Sequence, residues 1–173
     1  MNEILKVIRE RRSTRAFKPA QLPLETVERI LEAGTWAPSG MGLQGWHFVA
    51  VHSAEKTLAL SKVVAEADNR GADYNFYGAP TTILVSCPRG HVHAFLDGGA
   101  AIQNMLLMAQ SLGVGSCWIN QVRATCERPA VRDMLHTLGV PDDHEVVGSI
   151  ALGYIAKETP AKARKEGLIT IVE

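Results

Sequence analysis

Apolar positions recur at helical spacing near the start of the chain, with Ile4, Leu5 and Ile8 inside Asn2 to Glu10, then Leu24, Val27, Ile30 and Leu31 after Pro23. Both patterns predict amphipathic helices, the second opened by its proline and stopped at Gly34. A loop over Ala37 to Gly45 leads into a predicted strand from Trp46 to Val51, and Leu58 to Ala67 reads as a helix. The turn-rich stretch Asp68 to Gly78 opens into the apolar run Thr81 to Ser86, which lies between Pro80 and Pro88 and reads as a buried strand. Asp97 is placed to cap the next helix. From Gly98 to Leu112 almost every position is apolar or small, including Ile102, Met105, Leu106, Leu107 and Met108, so this helix is expected to be buried on several sides. Gly113 ends it, Val114 to Ile119 returns as a strand, Pro129 to Leu138 is a short helix, and Val146 to Tyr154 is the last strand. This order suits a sheet wrapped by helices.

Composition narrows the picture. A chain of 173 residues with 46% hydrophobic side chains can bury one sizeable core, and residues 1–173 are expected to form a single domain. Lys and Arg number 18, as do Asp and Glu, so no general field draws in nucleic acid or an anionic membrane. No apolar run approaches the roughly 20 residues needed to span a bilayer, and Met1 to Arg12 lacks a signal-peptide core, which makes the cytoplasm the expected compartment. Cys87, Cys117 and Cys126 are an odd set without CxxC spacing, as expected of reduced thiols. Cys87, His91 and His93 lie close in sequence but offer no fourth ligand, so no metal site is expected.

Against this neutral background two basic motifs stand out. Arg11-Arg12-Ser13-Thr14-Arg15 gathers three guanidinium groups and two hydroxyls just past a helix end. Forked Arg donors with a neutral hydroxyl match a phosphate monoester; a solvated basic turn complementing a helix C-terminus would look the same. Near the other end, Lys162 and Arg164 are spaced by one residue, so in an extended segment they would face one side and grip one anion, whereas a helical tail would separate them. Between these clusters, Gly40-Met41-Gly42-Leu43-Gln44-Gly45 formally matches GxGxxG. That match fails on context, because the dinucleotide motif needs a strand before the glycines and a helix after them, and here the order is reversed. What remains is a loop with exposed backbone donors and flanking aromatics, suited to lie against a flat heterocycle or simply to turn the chain.

Taken together these segments resemble the FMN-binding nitroreductase family. The resemblance rests on Arg11 to Arg15; on Ala37-Pro38-Ser39-Gly40 running to Gln44 and Trp46-His47-Phe48; on the helix Gly98 to Gly113 leading into Gly115-Ser116-Cys117-Trp118-Ile119; and on Gly153-Tyr154 followed by Lys162 and Arg164. It implies an α+β fold with a mixed, mainly antiparallel sheet, and a homodimer with FMN at the subunit interface. Carried over by position, it places Arg11, Lys162 and Arg164 on the flavin phosphate with Arg12 and Ser13 beside them, and Arg15 near the ring's N1 and C2 carbonyl side. Pro38, Ser39 and Gly40 would come from the other subunit, Gln44 would support the loop or ring edge, and Trp118-Ile119-Asn120 would pass the ring's other face. The sequence departs from the family at Gly42, often Asn, and at Asn120, where better-known members carry an acid. No ring-edge Asn and Lys are identifiable in Asp68 to Tyr77.

The activity implied is that of an oxidoreductase taking a hydride from NAD(P)H and passing electrons to an electron-poor acceptor, a nitroaromatic, quinone or flavin, in ping-pong order. No side-chain acid, base or nucleophile is expected to be catalytic, since solvent can supply protons. The alternatives are a non-catalytic FMN carrier or sensor, and a dehalogenase-type or flavin-fragmenting relative.

Overall fold

The computed structural model describes residues 2–173; Met1, at the start of the N-terminal stretch, lies outside them. Asn2 begins the first helix, α1 (Glu3–Glu10), its side chain accepting from the Ile4 and Leu5 N–H groups at 2.9 and 3.3 Å. Pro23 precedes α2 (Leu24–Thr35). Gly34 does not stop this helix; a Cβ there would meet Met105 and Phe48 at 3.1 to 3.2 Å, so the glycine serves close packing rather than termination. Strand β1 (His47–Val51) leads to α3 (Ala54–Ala67), which begins ahead of the predicted Leu58 because Ser53 caps it through Lys56 N–H. Strand β2 (Thr81–Pro88) precedes α4 (Ala94–Ser111), and β3 (Gly115–Ile119) is followed by the short α5 (Gln121–Thr125), which the sequence pattern does not predict. Pro129 opens α6 (Pro129–Thr137), and β4 (His144–Gly153) is the last strand.

The strands form one sheet in the order β1-β2-β4-β3 with every neighbouring pair antiparallel. Among the described residues the parallel element is a single bridge, Ser13 to Ser116. β2 and β4 are central and buried on both faces, which is why they read as nearly continuous apolar runs. Alternation splits them: Ile83, Val85, Ile150 and Leu152 face α2 and α4, while Leu84 and Ala151 face α3, α5 and α6. Full burial of each large aliphatic chain here contributes about 1.5–3 kcal/mol.

Helix α4 lies across the sheet, and its glycines set how closely. A Cβ on Gly98 would sit 2.6 Å from Cγ1 of the buried, β-branched Val147, whereas one on Gly99 would meet only Trp118 Cη2, at 3.6 Å. Removing a helix-interior glycine gains up to about 1 kcal/mol, but overpacking costs roughly 1–3 kcal/mol. Gly98→Ala is therefore expected to lower the urea unfolding midpoint and Gly99→Ala to hold or raise it; the reverse order would show that α4 is not pinned at Val147.

Candidate functional site

The chain's two ends meet through main-chain pairing. Thr14 N–H donates to Ser116 O on the β3 edge at 2.9 Å, and after β4 the chain folds back along residues 16 to 18, with Lys18 N–H on Tyr154 O at 2.9 Å and Ala156 N–H on Ala16 O at 3.0 Å. Thr159 Oγ1 then donates to Ser13 O at 3.1 Å. This return delivers Lys162 and Arg164, in a segment that is neither helix nor strand, to the C-terminal end of α1. Arg11, Arg12, Ser13, Arg15, Lys162 and Arg164 line one cavity of about 520 Å³ with Ile8, Arg9, Thr159 and Pro160. Residues from opposite ends of the sequence thus share one site.

Its charge is uncompensated. Among the described residues none of Arg11, Arg12, Arg15, Lys162 and Arg164 forms an ion pair, although other arginines of the chain do. Burial, followed by the repulsion of Arg12 and Arg164, pulls the Arg11 pKa below its ordinary value, with Cys117 acting the other way. Arginine stays protonated under such pressure, so an anion that enters relieves it. Arg12 also serves the plainer role of complementing a helix end: its Nη1 donates to Arg9 O at 2.6 Å and to Arg11 O at 2.8 Å, satisfying carbonyls at the end of α1.

Arg15 borders a second cavity as well, of about 700 Å³, walled by Phe17 and by Arg70, Asp73, Tyr74, Asn75, Tyr77 and Gly78. Sequence alone points to no site residue in this stretch. The available signal is the Asn75-Phe76-Tyr77-Gly78 turn, where Phe76, Tyr77 and Gly78 adopt φ of 51°, 63° and 75°. Consecutive left-handed bulky residues are strained by roughly 1–2 kcal/mol each and persist only where the surroundings impose them. Here Phe76 is completely buried beside the more exposed Tyr77, and Tyr74 OH donates to Gln121 Oε1 at 3.1 Å. Burial pushes the Tyr74 hydroxyl well above its usual pKa, so it remains a donor.

The loop after α2 is held elsewhere. Pro38, Ser39, Gly40 and Gln44 line neither cavity. Instead Gly40 N–H donates to Asp97 Oδ1 at 3.0 Å, and His91 Nε2 lies 3.0 Å from Asp97 Oδ2. Asp97 is therefore not the expected cap; α4 has already begun at Ala94, and the carboxylate is turned to the loop. Trp118, Ile119 and Asn120 line neither cavity either. Trp118 is partly exposed and packs near Gly99 and Gly148; Ile119 is buried in the core with its carbonyl taken by Ser149 Oγ at 3.0 Å; Asn120 is exposed at the start of α5. The three cysteines are buried and free, and no group of three His, Cys, Asp or Glu among the described residues could hold a metal ion. No helix among them is long and apolar enough to cross a membrane.

The Nitroreductase family matches residues 8–154, and the chain belongs to that family. A nitroreductase from Bacteroides fragilis, solved with bound FMN, superposes with a TM-score of 0.93 at 42% identity, covering 100% of both chains. A 4-nitrobenzoate reductase of a Nocardioides species is 26% identical, over 89% of this chain and 81% of its own. An NADPH-flavin oxidoreductase of Vibrio harveyi is 27% identical, over 100% of this chain and 74% of its own.

The Asp97 pair yields a pH dependence. Burial raises the carboxyl's pKa, but the Gly40 N–H, the His91 hydrogen bond and the nearby His91 and His93 rings outweigh it and hold it below the ordinary 3.8. A depressed folded-state pKa contributes stability that is present above the unfolded value and is lost as pH falls through the folded one. Wild type should exceed Asp97→Asn in urea stability at neutral pH, with the gap closing below about pH 4. A gap that stays constant down to about pH 2.5 would mean that the ionised carboxylate is not favoured by the fold.

Proposed function

We propose that this protein is an FMN-dependent oxidoreductase that takes a hydride from NAD(P)H and reduces an electron-poor small molecule, such as a nitroaromatic, a quinone or a free flavin, in ping-pong order. The carrying observation is the convergence of Arg11, Ser13, Lys162 and Arg164 in one cavity with no carboxylate to neutralise them. The terminal phosphate of FMN fits this donor set: nearly two negative charges and several acceptor oxygens meet guanidinium forks, an ammonium and a hydroxyl. Arg11, Lys162 and Arg164 hold the phosphate, with Arg12 and Ser13 completing that end. Arg15, common to both cavities, lies on the ring's N1 and C2 carbonyl side and favours the negative charge that builds there on reduction. Pro38, Ser39 and Gly40 come from a partner subunit, Gln44 supports their loop, and the Trp118 to Asn120 backbone passes the ring's other face. When bound, the isoalloxazine supplies the hydride chemistry. The chain's own work is to anchor, orient and polarise, and water supplies protons.

Residues 1–173 act as one FMN-binding domain in a homodimer. Support for the dimer is apolar surface that none of the described residues covers. Ile4, Leu5 and Ile8 on α1 are 68%, 41% and 44% exposed and Trp36 is 79% exposed, beside a groove of about 510 Å³ between α1, α2 and α4. The tail carries Leu168, Ile169, Ile171 and Val172, all more than 70% exposed. A cytoplasmic location accords with the three reduced cysteines.

Absorbance of the purified protein with added FMN, followed by anaerobic titration with NADH and then NADPH, tests the reading. Bound flavin that bleaches with either donor supports it. Flavin that binds but stays oxidised with both overturns the reductase assignment in favour of a carrier or sensor. Charge-assisted hydrogen bonds are worth about 1.5–3 kcal/mol, so Lys162→Ala and Arg164→Ala should each weaken FMN binding by about 10- to 100-fold. The same substitutions should leave riboflavin, which has no phosphate, within about twofold of wild type; equal losses for both flavins would place the phosphate elsewhere.

A further inference from the structure

The loop from Pro38 to Gln44 is strained, yet it is tied down at one point. Met41 and Gln44 adopt φ of 54° and 48°, the left-handed region that costs a non-glycine residue roughly 1–2 kcal/mol. Internal bonds shape the turn: Gln44 N–H donates to Ser39 Oγ at 2.9 Å, Gly42 N–H to Ser39 O at 3.0 Å, and Leu43 N–H to Gly40 O at 3.1 Å. None of these fixes the turn relative to the rest of the molecule. Among the described residues, residues 38–44 make one hydrogen bond to another element, that from Gly40 N–H to Asp97 Oδ1.

Two independent features converge on this contact. Asp97 is 5% exposed and its second oxygen is taken by His91, which leaves Oδ1 aimed at the loop. Gly40 lies so close to the start of α4 that a Cβ there would sit 2.4 Å from His93 Cδ2. The backbone at position 40 is thus pressed against the helix end and hydrogen-bonded to it. A carboxylate in the first turn of α4 is also favoured by the helix's positive end, but an Asp serving the helix alone would not need a partner on each oxygen.

We propose that Asp97 is a positioning residue: it fixes the Pro38–Gln44 loop, through Gly40, in the shape that meets the cofactor, and His91 orients the carboxylate for that task. The proposal rests on the FMN reading above and adds what prepares the loop before the cofactor arrives. Asparagine at 97 can still accept from Gly40 with its amide oxygen and can donate to an unprotonated His91 Nε2. Alanine can do neither.

Hydrogen exchange at the Gly40 amide in the flavin-free protein, together with FMN affinity, separates the possibilities. Asp97→Ala is expected to speed Gly40 exchange by about 10- to 100-fold and to weaken FMN binding by about tenfold, while Asp97→Asn stays within about threefold of wild type on both. Unchanged Gly40 exchange in Asp97→Ala, or an Asp97→Asn that behaves like the alanine variant, overturns the proposal. So does faster exchange with unaltered FMN affinity. Should wild type bind no FMN, the FMN reading fails, and with it the cofactor half of the proposal; Gly40 exchange still decides whether Asp97 holds the loop. If Asp97→Ala does not fold, Gly40→Ala tests the same contact from the other side. It should displace the loop from His93 and speed exchange of the residue 40 amide in the flavin-free protein by at least about tenfold, and unchanged exchange there overturns the proposal.

Discussion

The pairing of residues 13 to 18 with Ser116 and with the segment after β4 is the constraint on which the chemistry depends. Lys162 and Arg164 lie about as far from Arg11 in sequence as the chain allows, and bringing them together has the loop-closure cost of nearly the whole chain. Folding of the core between them meets most of that cost, because β3 carries Ser116 and its sheet neighbour β4 leads directly into Tyr154. A few main-chain hydrogen bonds then suffice to align the ends. This main-chain pairing draws on none of the arginine, lysine or serine side chains of the two segments, although Arg12 Nη1 is taken by the Arg9 and Arg11 carbonyls.

The core was legible in the sequence because its two signals agree. The apolar run Thr81 to Ser86 marked a buried strand, Val146 to Tyr154 marked the last strand, and the crowded Gly98 to Leu112 stretch marked a helix buried on several sides, which packs on them. Helix ends were less legible where a residue had another task. Gly34 looked like a stop and is a packing glycine; Asp97 looked like a cap and is an anchor for a remote backbone N–H. Helix α5 went unseen because Gln121 to Thr125 is too short to carry a readable periodicity.

The site was legible in the same uneven way. Charge could be read from sequence, so the two basic motifs were identified and the structure brings them to one cavity. The wall formed by Arg70 to Gly78 could not, since its shape comes from left-handed Phe76 and Tyr77, whose conformations are set by burial of the Phe76 ring rather than by local preference. The Pro38 to Gln44 loop falls between these cases. Its glycines announce a turn, but its place in the molecule is decided by a carboxylate 57 residues further on.

A chain of zero formal charge whose anion cavity is lined by six cations, none of them in an ion pair among the described residues, must carry its compensating acids elsewhere. At physiological ionic strength fields are screened over about 8 Å, so at a distance such a molecule looks neutral, and only a group that enters the cavity feels the full excess. An extended polyanion would lay most of its phosphates against ordinary mixed-charge surface and gain little. A small ligand with one terminal phosphate places its whole charge inside. The distribution of charge, more than its amount, therefore favours a mononucleotide-sized cofactor over nucleic acid.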